Sequence, residues 1–156
     1  SGSILNESIK AQKILDSYGI SSDVWSATSF NMLRKDGMEK ERFNEINPTL
    51  EQKISYVEEC LPSSETPVIA ATDYMRAYPE QIRGFIKAPY YTLGTDGYGR
   101  SDSRQKLREF FEVDATNIAR LAIYSLFRKG DISKKKITSL YKKLKVDPSK
   151  PNPWEV

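Results

Sequence analysis

The sequence predicts an α/β fold in which a mainly parallel sheet is covered by helices, and three observations carry that reading. The run Pro67-Val68-Ile69-Ala70-Ala71-Thr72 is continuously apolar and bounded by Pro and Asp, the pattern of a strand buried on both faces. A second short run, Tyr90-Tyr91-Thr92-Leu93-Gly94, follows a segment of helical character, and such alternation of strand and helix belongs to α/β architectures. In the last third of the chain the apolar residues recur at helical intervals, so that third is helical.

Taken in order, Ser3 is placed to cap a helix running to Tyr18, with Ile4, Leu5, Ile9, Ile14, Leu15 and Tyr18 at helical spacing and Gly19 as its stop. Asp23 to Thr28 reads as a short strand. The polar stretch from Asn31 to Glu51 is helical in parts and mostly surface. Leu50, Ile54, Val57 and Leu61 then fall at helical offsets, which predicts a second amphipathic helix over 50–61, ended by Pro62. After the 67–72 strand comes a helix from Tyr74 to Ile86, bent at Pro79, and after the 90–94 strand a helix with Leu107, Phe110 and Phe111 as its apolar stripe. Asp102 with Gln105 resembles a capping box for it. Asp114 is placed to cap a helix to about Phe127 that is apolar on most sides, and therefore buried in the domain or in an interface. Ser133 opens the final helix, with Ile137, Leu140, Tyr141 and Leu144 on one face, and an extended tail carries three prolines and Trp154. Ser1-Gly2-Ser3 leads straight into the first helix like a strand-to-helix turn without its strand, so the chain is expected to begin within a larger polypeptide.

Composition narrows the chemistry. There is no histidine, which removes the commonest general base, the commonest metal ligand and every imidazole-assisted nucleophile. The one cysteine, Cys60, excludes a disulfide framework and points to a reducing compartment, with the cytoplasm as the expected location. Its neighbours Glu58 and Glu59 argue against a reactive thiol. No apolar run is long enough for a membrane span, and the mild net charge of +3, without a platform of aromatics, argues against nucleic acid. Much of the positive charge lies between Arg128 and Lys145, in Lys134, Lys135, Lys136, Lys142, Lys143 and Lys145. That cluster is either a solvated helix face or a dock for phosphates or an acidic partner.

The densest turn chemistry is Leu93-Gly94-Thr95-Asp96-Gly97-Tyr98-Gly99-Arg100-Ser101-Asp102, where three glycines permit positive φ or close backbone approach. Lying between a strand and a helix, its N–H groups are placed to receive an anion, and Arg100 to add a bidentate contact. Neither the dinucleotide fingerprint nor the phosphate-loop spacing is met. Asp96, Gly97, Tyr98, Gly99, Arg100 and Ser101 are thus either an interdomain packing turn or an anion-contacting one.

The run from Tyr91 to Ala122, YTLGTDGYGRSDSRQKLREFFEVDATNIARLA, closely resembles the C-terminal domain of the single-chain, homodimeric pyruvate dehydrogenase first component. SGSIL at 1–5, SDVWSATSF at 22–30, RKDG at 34–37 and ATDYM at 71–75 agree in order and spacing. The wider transketolase family has a looser form of the turn, matched here by Tyr98, Gly99, Ser101 and Phe111. The resemblance implies a three-layer domain with about five mainly parallel strands, typically one of them antiparallel, and a first strand lying before Ser1. It also implies that residues 1–156 are one C-terminal domain serving dimerisation and support. Its partners would be the N-terminal and middle domains, a homodimer partner and the dihydrolipoyl acetyltransferase. Thiamine diphosphate and Mg2+ would sit between other domains, so the resemblance places no catalytic, cofactor-binding or metal residue on this chain. The parent would decarboxylate pyruvate and reductively acetylate the lipoyl group, and the isolated piece would be inactive. Two other readings stay open: a free-standing module holding a phosphate-bearing or nucleotide effector, and a transketolase-type domain of different substrate.

Overall fold

A computed structural model describes residues 2–97 and 99–155. Two strands organise it, β1 (Val68–Ala71) and β2 (Tyr90–Leu93), paired in parallel with Val68 opposite Tyr90 and Ala71 opposite Leu93. Because side chains alternate across a strand, each strand feeds two cores. Ile69, Ala71 and Leu93 join one apolar cluster, while Val68, Ala70 and Tyr90 join the other.

Helices α1 (Ile4–Ser17), α6 (Ala115–Lys129) and α7 (Lys134–Lys143) close the first face. Ile4, Ala11 and Leu15 of α1 meet Ile118, Ala119 and Ile123 of α6, with Ile137 and Leu140 of α7 behind them. The other face is covered by α2 (Phe30–Ile46), α3 (Tyr56–Cys60) and the bend that contains α4 (Ala77–Glu80) and a 3-10 turn over Arg83–Phe85, through Phe30, Val57, Ile82 and Phe85. Helix α5 (Arg104–Phe110) leads into α6.

Helix ends follow local chemistry. Ser29, Ser55, Ser103, Asp114 and Ser133 each accept a hydrogen bond from the N–H three residues on, the usual way to satisfy an orphan donor. Gly130, at φ 93°, ends α6 in the left-handed conformation. Helix α6 is buried as expected, with Tyr124 the exposed aromatic between half-buried and buried turns.

Several expectations are corrected. Among the described residues the sheet has two strands, both parallel, not about five with one antiparallel. The segment Asp23 to Thr28 is irregular: it has no ladder partner there, the Ser22 carbonyl is taken by the Gln12 side chain, and Trp25 is 61% exposed. The 50–61 helix starts only at Ser55, because the Asn44 carboxamide pairs with both the N–H and the carbonyl of Lys53, at 2.8 Å each, and holds the chain out of a helix. Leu50 and Ile54 are consequently exposed. The 74–86 helix is two short turns rather than one bent rod. The cap of α5 is Ser103, not Asp102, whose carboxylate instead accepts from the Ser103 N–H at 2.6 Å. Ser3 sits at the N-cap position of α1 but makes no capping bond with its side chain.

Candidate functional site

The turn after β2 is built against the loop that follows β1. Thr95 N–H donates to the Tyr74 carbonyl and the Thr95 hydroxyl to the Asp73 carbonyl, both at 2.9 Å. Asp96 accepts from the Arg76 N–H at 3.0 Å, and its other oxygen lies 3.9 Å from the Arg76 guanidinium. Gly94 is required by proximity alone: a Cβ there would stand 2.5 Å from the Arg76 nitrogen and 2.9 Å from the Tyr74 carbonyl oxygen. Gly97 is required by conformation, at φ 118°, with the Pro153 carbonyl oxygen over the position a Cβ would take. Gly99 meets neither condition.

Among the described residues, Gly99, Arg100 and Ser101 make no such contact with the loop after β1. Arg100 lies over the Phe110 ring at 4.1 Å, a cation–π contact within the domain. Gly99, Arg100 and Ser101 are exposed, and Tyr98 lies outside the described residues. The structure thus brings Asp96 and Gly97 together with Arg76 and the tail, and leaves Arg100 and Ser101 facing solvent. The tail closes over the turn: Lys150 donates to the Glu109 carbonyl at 2.7 Å, and the Trp154 ring lies 5.2 Å from the Arg76 guanidinium.

Two polar clusters escaped the sequence reading, the first of them joined to the turn through Asp73. Glu7 is 7% exposed and accepts from Lys10, from Arg108 and from the Ala115 N–H at 3.0, 3.3 and 3.0 Å. Arg108 also donates to the Ser3 hydroxyl at 2.8 Å, and Ser3 donates to Asp73 at 2.7 Å. Burial pushes the Glu7 carboxyl up, but Lys10, the Ala115 N–H and Arg108 outweigh it and hold it below the ordinary range. The network ties the start of α1, the loop after β1 and the α5–α6 junction into one unit. Its signal was available: Glu7 sits on the stripe of Ile4, Ala11 and Leu15, where a lone acid must be paired to be buried.

The second cluster is on the opposite face of the sheet. Arg83 grips Glu80 bidentately at 2.6 and 2.8 Å and donates to the Tyr90 carbonyl at 2.8 Å, while the Thr92 hydroxyl also reaches Glu80. The Arg83 hydrogen bonds hold Glu80 at about 2, although burial opposes them. Burial pushes the Tyr90 hydroxyl up, and that hydroxyl donates to the Pro79 carbonyl at 2.7 Å. Both clusters lock backbone segments together; neither presents a free acid–base pair to solvent.

A parallel sheet between two helical layers, with a strand-to-helix turn braced by its own loops, defines an α/β domain. The chain belongs to the transketolase-like C-terminal domain family, whose model, described as "Transketolase-like TK C-terminal domain", matches residues 1–114. It is 50% identical over 99% of its length to a protein named "Pyruvate dehydrogenase E1 component" from Pseudomonas aeruginosa. Proteins of the same name from Cupriavidus necator and Escherichia coli are 46% and 42% identical over 100% and 98% of the chain. The chain spans only 17–18% of the length of these relatives. No helix among the described residues is long and apolar enough to cross a membrane.

Proposed function

We propose that this chain is the C-terminal domain of a single-chain, homodimeric pyruvate dehydrogenase first component, where it supports the middle domain and contributes to the dimer. The parent enzyme decarboxylates pyruvate in the cytoplasm and reductively acetylates the lipoyl group of its acetyltransferase partner, with thiamine diphosphate and Mg2+ supplying the chemistry. The observation that carries this reading is identity of 42–50% across essentially the whole chain to three proteins bearing that name. Among the described residues no group of three or more His, Cys, Asp or Glu is placed to hold a metal, and the turn's acid, Asp96, is committed to Arg76. On this reading the domain's part in the reaction is architectural, with the cofactor and its ion held by other domains. Exposed Met32, Ile46, Leu50, Ile54 and Tyr56, around α2 and α3, supply the apolar surface that contact with other domains would cover.

The test is a graft. In the Escherichia coli relative, the matching segment of 155 residues is replaced by this chain. The chimera is assayed for dimerisation and for pyruvate-dependent acetylation of lipoyl domains. An active dimer supports the assignment; a folded dimer without that activity overturns it. Within the turn, Arg100→Ala tests the interdomain role of Asp96 to Ser101: in the full enzyme the dimer dissociation constant should rise, and an unchanged constant removes Arg100 from the interface.

A further inference from the structure

We infer that the lysine face of α7 is a docking surface for a carboxylate-rich protein partner. Lys134, Lys135 and Lys142 line, with Thr138 and Ser139, a shallow depression on one side of the helix. Lys134, Lys135, Lys136, Lys142, Lys143 and Lys145 are all exposed, and the sequence from Ile132 to Val146 contains no acid. Among the described residues none of the six has a carboxylate within 4.0 Å, whereas Lys10, Arg108, Arg120 and Lys129 of α1, α5 and α6 each have one.

The arrangement also runs against the helix that carries it. Lys134, Lys135 and Lys136 form the first turn of α7, where the positive end of the helix dipole and the unpaired N–H groups favour acids and disfavour cations. In α1, α3 and α4 the first turn carries Glu7, Glu58 with Glu59, and Glu80, whereas α5 shares the cationic opening with Arg104 and Lys106. A local choice that opposes its own element is expected at positions held for another purpose. An approaching carboxylate surface relieves both the lysine repulsion and the dipole conflict. The helix is held firmly enough to present it, since Ile137 and Leu140 are buried and Tyr141 and Leu144 are half-buried against α6 and α1.

The chemistry favours protein over the other anionic surfaces. Base stacking needs exposed aromatics, but Tyr141 is half-buried and Tyr18 lies under the Lys143 ammonium at 5.6 Å. Tight membrane insertion adds apolar side chains beside the cations, and Ile137 and Leu140 of α7 are buried in the core.

The test uses the full polypeptide from its own gene and three probes: a glutamate-rich peptide of about 20 residues, a single-stranded oligonucleotide and phosphatidylserine vesicles. The triple variant Lys134→Glu/Lys135→Glu/Lys142→Glu should weaken peptide binding by about tenfold or more, and rising salt should weaken the unsubstituted protein likewise. Its melting temperature should change little, because acids at 134 and 135 suit the first turn of α7 while the acid at 142 opposes the last; lost binding is then not lost folding. A control reversal at exposed Lys13, Lys35 and Arg42 should keep the peptide affinity. Equal affinity in protein and variant, an equal loss in the control, or tighter lysine-dependent binding of the oligonucleotide or vesicles would overturn the inference.

Discussion

Replacing Gly94 by alanine should be the most damaging single-methyl change in the turn. The new Cβ would meet the Arg76 nitrogen at 2.5 Å and its Cα at 2.7 Å, both backbone atoms with no rotamer to change. The loop after β1 must therefore move away from β2. That motion strains the bonds from Thr95 N–H to Tyr74 and from Arg76 N–H to Asp96, at 2.9 and 3.0 Å. Overpacking costs about 1–3 kcal/mol, and each weakened hydrogen bond adds up to about 1 kcal/mol. The stiffer unfolded chain returns about 0.4–1 kcal/mol, leaving a net loss of about 2–4 kcal/mol. Urea unfolding of the 156-residue chain, followed by the fluorescence of Trp25 and Trp154, should show it. At a slope of about 2 kcal/mol per M the midpoint should fall by about 1–2 M. The matched control is Gly84→Ala, where a Cβ meets nothing within 4 Å, and its midpoint should hold or rise. A Gly94→Ala midpoint within about 0.3 M of the parent would refute the close-approach argument.

Other expectations follow from the same contacts. The Glu80 carboxyl is held at about 2, below its usual value of 4.5, so its stabilisation is complete above about 4.5 and is lost as the pH falls towards 2. With a third of the side chain exposed, solvent screening leaves about 1 kcal/mol of this; Glu80→Gln should flatten the acid limb of midpoint against pH by that amount, and an unchanged limb would count against it. Arg108→Ala removes a cation from buried Glu7 and a donor from Ser3, and should cost about 2–3 kcal/mol, with Arg108→Lys recovering only part; calorimetry on both variants decides. Cutting the chain after Val146 removes Lys150 and Trp154 from the turn and should speed hydrogen exchange at the Thr95 and Arg76 amides while leaving α6 amides protected.

The sequence was most informative where local chemistry and packing agree. The two strands, α6 and α7 were legible because their apolar spacing and, for the helices, the caps at Asp114 and Ser133 point the same way. The α/β class followed from them. It was least informative where a distant side chain decides a backbone. Nothing in the pattern Leu50, Ile54, Val57, Leu61 shows that Asn44 will hold Lys53 extended. Nor does the apolar character of Val24 and Trp25 create a neighbouring strand to pair with. In the turn, a role for glycine was legible but not its division of labour: Gly94 for proximity, Gly97 for its positive φ, Gly99 for neither. Asp96 was legible only as a member of an interdomain or anion-contacting turn, because its partner, Arg76, lies 20 positions away.

The seating of α1 on α6 sets a timetable for the growing polypeptide. Helix α1 ends at Ser17 and α6 begins at Ala115, so Ile4, Ala11 and Leu15 leave the ribosome about 100 residues before the surface that covers them. At typical rates of ~5–20 residues per second, that is a wait of roughly 5–20 s. Throughout it, Glu7 lacks both Arg108 and the Ala115 amide, and its charge keeps the waiting helix wet. The pairing that seats α1 in the domain therefore forms only after α5 and the start of α6 have been made.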